Sequence, residues 1–189
     1  ISVTDVDGSR VYLPFGRTDW SGTATADAGL YGEYYLLPAG VSSETFPDYD
    51  LLSTSHTRVD SQINLPATSG YGFAGFSDLN DRFAIRWTGQ IRIDTAGLTT
   101  FYLGSDDGSR LYIDDQLVVN NGGLHAFQEA EGTVNLEAGY HDIRVEMFEN
   151  YGAAGVVLSW DPAGTAVGKQ VVPSGVLFLP ASQNAKAIS

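Results

Sequence analysis

Apolar residues recur at every second position through much of the chain, and nowhere do they keep a helical period for three turns. Phe83, Ile85 and Trp87 share one face of a strand that resumes, after a bend at Gly89, with Ile91 and Ile93. Ile143, Val145 and Met147 repeat the pattern, with Asp142, Arg144 and Glu146 pointing the other way. Further strands are expected over residues 29–37, 99–103, 110–113, 117–119, 133–136 and 156–160, with a closing strand over 171–179. Asp114-Asp115 separates two of these runs as a tight hairpin does, so that acid pair is assigned to turn geometry. Residues 41–76, broken by Pro47, Pro66 and several Gly, read as a surface excursion with one short strand near 59–65. The expected fold is an all-β antiparallel sandwich of many strands with little or no helix.

With 189 residues, of which 43% are hydrophobic, the chain can bury the core of one domain. We expect an N-terminal extension over 1–28, the sandwich over 29–180 and a polar tail over 181–189. Ten Lys and Arg against 23 Asp and Glu leave a formal charge of −13, which repels phosphate backbones and anionic lipid. Nucleic acid and membrane insertion are therefore excluded as expected partners, and cations are favoured. The absence of Cys removes disulfides, thiolate metal sites and a Cys nucleophile. No apolar run is long enough to span a membrane and the first residues lack a signal peptide's pattern, so the chain reads as a segment of a longer protein.

Residues 103–110 hold the most pointed chemistry. Asp106 and Asp107 are adjacent acids on a Gly-flanked turn between two strand-like runs. Like charges side by side raise each other's proton affinity unless water or a cation relieves them, so the pair marks a solvated turn or a metal site. Calcium suits it, because that ion takes six to eight oxygen ligands in a forgiving geometry. Asp5-Val6-Asp7-Gly8 offers a second turn or metal element, too short for an EF-hand loop. His56, His125 and His141 lie in no nucleophile motif. Paired carboxylates also hydrolyse glycosides, but adjacent acids on one turn are poorly placed to flank a bond from opposite sides.

Four blocks taken together resemble the fourteen-kilodalton protective-antigen domain family of bacterial adhesins, yeast flocculins and some glycosidases. They are residues 29–35 (GLYGEYY), 83–89 (FAIRWTG), 101–114 (FYLGSDDGSRLYID) and 139–146 (GYHDIRVE) continuing through 154–160 (AGVVLSW). The resemblance covers nearly all of 29–160. It implies a β-sandwich whose lectin members hold one calcium at the tip and bind sugar directly through neighbouring hydroxyls. It also implies a cis peptide between Asp106 and Asp107, both aimed at the ion. A second metal loop would supply a side-chain amide and two backbone carbonyls, which match Asn150, Gly152 and Ala154; a shift of one residue puts Glu149 first.

Two carboxylates, one amide oxygen and two carbonyls are five ligands, leaving about two calcium positions for a vicinal diol. The chain departs from the family pattern at 120–125 (NNGGLH), where many members carry a Trp before Gly-Gly-x-His. His125, Phe127 and Gln128 are the expected rim residues beside Asp106, Asp107 and Asn150. The resulting expectation is a calcium-dependent, non-enzymatic lectin module, monomeric within a longer extracellular, cell-surface adhesin, binding glycans with vicinal hydroxyls. A structural or protein-binding module that uses calcium for rigidity is the alternative.

Overall fold

The computed structural model of the chain describes residues 27–69 and 72–180, together with the backbone of four short strands before them. Those four are β1 (Ser2–Thr4), β2 (Arg10–Tyr12), β3 (Arg17–Thr18) and β4 (Ala24–Thr25). The Asp5-Val6-Asp7-Gly8 element and the 181–189 tail lie outside the described residues. The main body runs β5 (Leu30–Leu36), β6 (His56–Asp60), β7 (Asn64–Ser69), β8 (Phe83–Ile93), β9 (Gly97–Asp106), β10 (Ser109–Ile113), β11 (Gln116–Asn121) and β12 (Gln128–Leu136). It continues with β13 (Gly139–Glu149), β14 (Ala153–Asp161), β15 (Gln170–Val171) and β16 (Leu177–Phe178).

Two antiparallel sheets face each other. One has the order β11-β10-β13-β8-β5-β6 with β16 also on β8, and the other has the order β12-β9-β14-β15 with β7 also on β14. The period-two residues fill the space between: Phe83, Ile85, Trp87, Ile91, Val145 and Met147 from the first sheet meet Phe101, Leu103, Val156 and Leu158 from the second, all fully buried. Gly89 marks the junction of two shorter strands on β8. A Cβ there would stand 2.5 Å from both the Leu30 side chain and the Phe178 carbonyl, so only Gly lets β5 and β16 continue one another.

Two expected segments differ. Residues 41–76 hold two strands, β6 and β7; Pro66 is tolerated within β7 because that strand, among the described residues, pairs with β14 alone and needs no second row of donors. The segment also folds over the outer face of the first sheet, where Phe46 and Tyr49 pack with Tyr35, Ala84 and Phe148 as a second small core. The closing segment splits at Pro173 and a short 3-10 turn (Ser174–Val176), sending β15 to one sheet and β16 to the other.

Asp114 and Asp115 form the β10–β11 turn with φ of 49° and 61°, the left-handed pair that a two-residue hairpin requires. Asp114 also accepts from the Asp142 amide at 2.9 Å and contacts His141 Nδ1 at 2.6 Å. Partial burial pulls the His141 pKa down, but the Asp114 carboxylate and the Glu137 carbonyl outweigh it and raise the pKa above its usual value. A raised folded pKa stabilises below the unfolded value of about 6.5 and loses that contribution as pH climbs through the folded one. Asp114→Asn should lower the imidazole titration midpoint seen by NMR, with a stability change of only a few tenths of a kcal/mol because the pair is solvent-screened.

Candidate functional site

Three connections cross from one sheet to the other at the same end of the sandwich: residues 107–108 between β9 and β10, 122–127 between β11 and β12, and 150–152 between β13 and β14. The acid pair is therefore no hairpin tip, since β9 and β10 belong to different sheets. Gly108 permits the crossing. Its carbonyl accepts from the Phe148 amide at 2.9 Å, and a Cβ would fall 2.3 Å from the Phe148 ring. The Asp106–Asp107 peptide is cis.

The three crossings bring carboxylates together. Ligand oxygens of Asp106, Asp107 and Glu149 lie within 4.8 Å of one another, and all three residues are buried. Asp107 ties the crossings to each other, its Oδ1 accepting from the His125 amide at 2.9 Å and its Oδ2 from the Asn150 amide at 3.0 Å. Glu149 Oε2 accepts from the Asp107 amide at 3.0 Å, whereas its Oε1 is buried without a hydrogen-bond partner. Burial, and then the Asp107 and Asp106 charges, push Glu149 up to about 8. Burial and the Asp107 charge raise Asp106 likewise. An all-oxygen cluster with an orphaned buried carboxylate oxygen and two disfavoured ionisations fits a hard cation such as calcium, which would reverse those shifts.

Above the carboxylates lies an open cleft of about 510 Å³ lined by Asp106, Asp107, Leu124, His125, Ala126, Asn150, Tyr151 and Ala153. Of the expected residues, Asp106, Asp107, Asn150 and His125 meet there. Asn150 faces competition for its role: its Oδ1 accepts from Ser43 Oγ at 2.6 Å, and it is Glu149 whose side chain joins the acid pair. Gly152 has φ of 116° and donates to Asp81 Oδ1 at 3.1 Å, while Ala154 sits buried in β14 opposite Thr68. Gln128 is not in the cleft wall. Its amide donates to Asn121 Oδ1 at 3.2 Å, and buried Asn121 in turn bonds the carbonyls of Leu103 and Gln128. The His125 ring nitrogens face the carbonyls of Ala126 and Asn121, each at 3.1 Å.

Two participants escape the sequence reading. Tyr151, 64% exposed in the cleft wall, is an aromatic surface on the loop opposite the one that lacks Trp. Its only signal is a lone aromatic inside a loop of small residues. Ser43 stands 107 residues from its partner Asn150, and no local pattern announces it.

Comparison with known proteins agrees with this fold. The anti-sigma-I factor RsgI3 of Acetivibrio thermocellus is 29% identical over 152 residues, covering 80% of this chain and 21% of that protein. A solved structure of an anti-sigma factor domain-containing protein from Clostridium clariflavum is 31% identical with a TM-score of 0.66, over 80% of this chain and 47% of that one. The chain thus spans about a fifth and about half of these relatives. The PA14 sugar-binding domain from an RTX adhesin shares the fold at 21% identity, with a TM-score of 0.68 over 82% of this chain and 99% of that one. With the PA14 domain family matching residues 37–170, from the end of β5 to the start of β15, the chain belongs to that family.

Proposed function

We propose that the chain is a calcium-dependent carbohydrate-binding module. The observation that carries this is the Asp106, Asp107 and Glu149 cluster, with its unpartnered Glu149 oxygen, at the floor of an open cleft. Asp106, Asp107 and Glu149 would hold the ion, with the Asn150 side chain and the carbonyls of Gly152 and Ala154 as further oxygen donors. The bound ion supplies open positions for two neighbouring sugar hydroxyls. The chain's own residues then fix the pose, with His125 and Leu124 on one wall and Asn150 and Tyr151 on the other.

The geometry argues against glycoside hydrolysis. Acids that cleave a glycosidic bond flank it at about 5–9.5 Å, and here the three carboxylates crowd within 4.8 Å of one another beneath the cleft. The setting admits two versions of the same binding role. An adhesin would use the sugar as an anchor, a setting like that of the sugar-binding domain from an RTX adhesin. The higher identity to anti-sigma factor proteins favours a second version, in which the sugar is a signal to a regulatory protein carrying this module.

A glycan array probed with calcium and again with chelator tests the reading. Saturable binding lost on chelation supports it, and a blank array in both conditions supports a structural role. Tyr151→Ala should weaken the bound sugar about fivefold to tenfold while leaving the calcium-induced rise in melting temperature unchanged, because the ring contributes a face and no ligand atom.

A further inference from the structure

A second cleft, of about 400 Å³, adjoins the first and is lined by Glu44, Thr45, Phe46, Arg110, Asn120, Gly122, Gly123 and Phe148. They share no lining residue, but the loops that wall one lead into those that wall the other. Gly122 and Gly123 lead directly into Leu124, His125 and Ala126 of the first cleft. On the other side, Ser43 bonds Asn150 while Glu44, Thr45 and Phe46 face the second cleft.

Arg110 stands out among the cations of this acidic chain. Arg58, Arg86, Arg92, Arg144 and Lys169 each meet a carboxylate. Arg82 donates to Ser43 Oγ and the Val41 carbonyl. Arg110, among the described residues, has neither kind of partner. Its guanidinium lies over the Phe46 ring at 3.8 Å, and its Nε is buried without a hydrogen bond. Its cross-strand neighbours are Asn120 and Glu146; the Arg110 charge acts on the Glu146 carboxylate, but the contact at 3.6 Å is with Arg144 Nε, which like Arg110 Nε is buried without a hydrogen bond. A planar guanidinium held flat by an aromatic ring, with its donors unused, matches the two oxygens of a carboxylate. Glu44 in the same wall is exposed, where solvent and salt screen its repulsion, as they screen the chain's distant negative charges beyond about 8–10 Å.

We propose that this cleft is a subsite for a sugar acid, with Arg110 gripping the carboxylate of a uronate residue next to the residue on calcium. The proposal rests on the carbohydrate-binding reading for its context but does not need the ion. The test uses the isotope-labelled 189-residue protein with calcium chelated, titrated with glucuronate and, separately, with glucose. Glucuronate should shift the Arg110 Nε–H and the Gly122 and Gly123 amides saturably at millimolar concentration, and glucose should not. Arg110→Met, which keeps the stem on Phe46, should abolish the shifts, and Arg110→Lys should weaken binding about fivefold to tenfold. Equal responses to both sugars, no response to glucuronate, or a response that survives Arg110→Met overturns the subsite. With calcium restored, a glucuronosyl-glucose disaccharide and cellobiose are compared. Calcium-independent uronate binding beside a neutral-sugar array that stays blank would retain the subsite and sink the calcium reading, whereas the converse would do the reverse.

Discussion

Asp106→Asn is expected to abolish both the calcium-induced rise in melting temperature and sugar binding, while leaving the metal-free fold at least as stable as the wild type. Without an ion, Asp106 is a crowded acid whose ionisation burial and Asp107 disfavour, so neutralising it relieves repulsion. With an ion it is a charged ligand, and its loss removes the stabilisation that calcium adds to the native state, about 2.7 kcal/mol at a hundredfold excess over Kd. Asp107→Asn should lose the same functions and also destabilise the metal-free protein by about 1–2 kcal/mol. Both of its oxygens accept backbone amides, from His125 and Asn150, and an amide side chain can accept only one of them. Asp114→Asn and Asp115→Asn, in the hairpin turn, should leave sugar affinity near wild type and change stability by about 1 kcal/mol or less. Differential scanning calorimetry with and without calcium, beside isothermal titration with a monosaccharide, reads all four variants.

Asp60→Ala should lower stability by about 3–5 kcal/mol without touching the site. Its carboxylate, on the edge strand β6, accepts from Trp87 Nε1 at 2.7 Å, from the Tyr34 hydroxyl and from Arg58 Nε at 2.6 Å. Tyr34 and Trp87 are fully buried core residues, so the substitution leaves two interior donors without an acceptor and takes the carboxylate from Arg58 Nε, while Arg58 Nη1 keeps the Ala74 carbonyl. For a chain of this size that loss corresponds to a fall in melting temperature of roughly 6–20 °C. Asp60→Asn keeps an acceptor and should cost less. Asp60 pairs with Leu30, at the end of β5 away from the carboxylate cluster, so the increment added by calcium should be the same in variant and wild type. A fall of under 1 kcal/mol in urea unfolding would contradict the assigned role of this network.

The sandwich was legible because alternation survives wherever one face of a strand is buried, as at Phe83, Ile85 and Trp87 or at Ile143, Val145 and Met147. The end of β13 was less so. Phe148 is buried on the face that alternation assigns to solvent, because residues 42–52 fold over it, and no short-range pattern encodes that cover; Glu149 falls on the inner face, where alternation alone expects an apolar residue. The acid pair at Asp106 and Asp107 was legible from two like charges on a Gly-flanked turn. Its third partner, Glu149, entered only as the one-residue alternative to Asn150 that the family resemblance left open, since a lone Glu at a strand end is ordinary until the sheet crossings bring it within reach of the pair. Gln128, expected at the rim, instead bonds Asn121 in the structure, a contact set by the β11–β12 crossing that sequence proximity does not reveal. The long pairings Ser43 with Asn150 and Asp60 with Trp87 depend on the sheet order, which strand patterns alone leave open.

The most direct test of a calcium-held sugar is one isothermal titration series on the wild-type chain, first with calcium into chelator-stripped protein and then with sugar into each form. One calcium per chain, followed by monosaccharide binding that appears only in the calcium-loaded form, is the predicted result. Sugar heats of equal size in stripped and loaded protein, or no calcium heat at all, would contradict it.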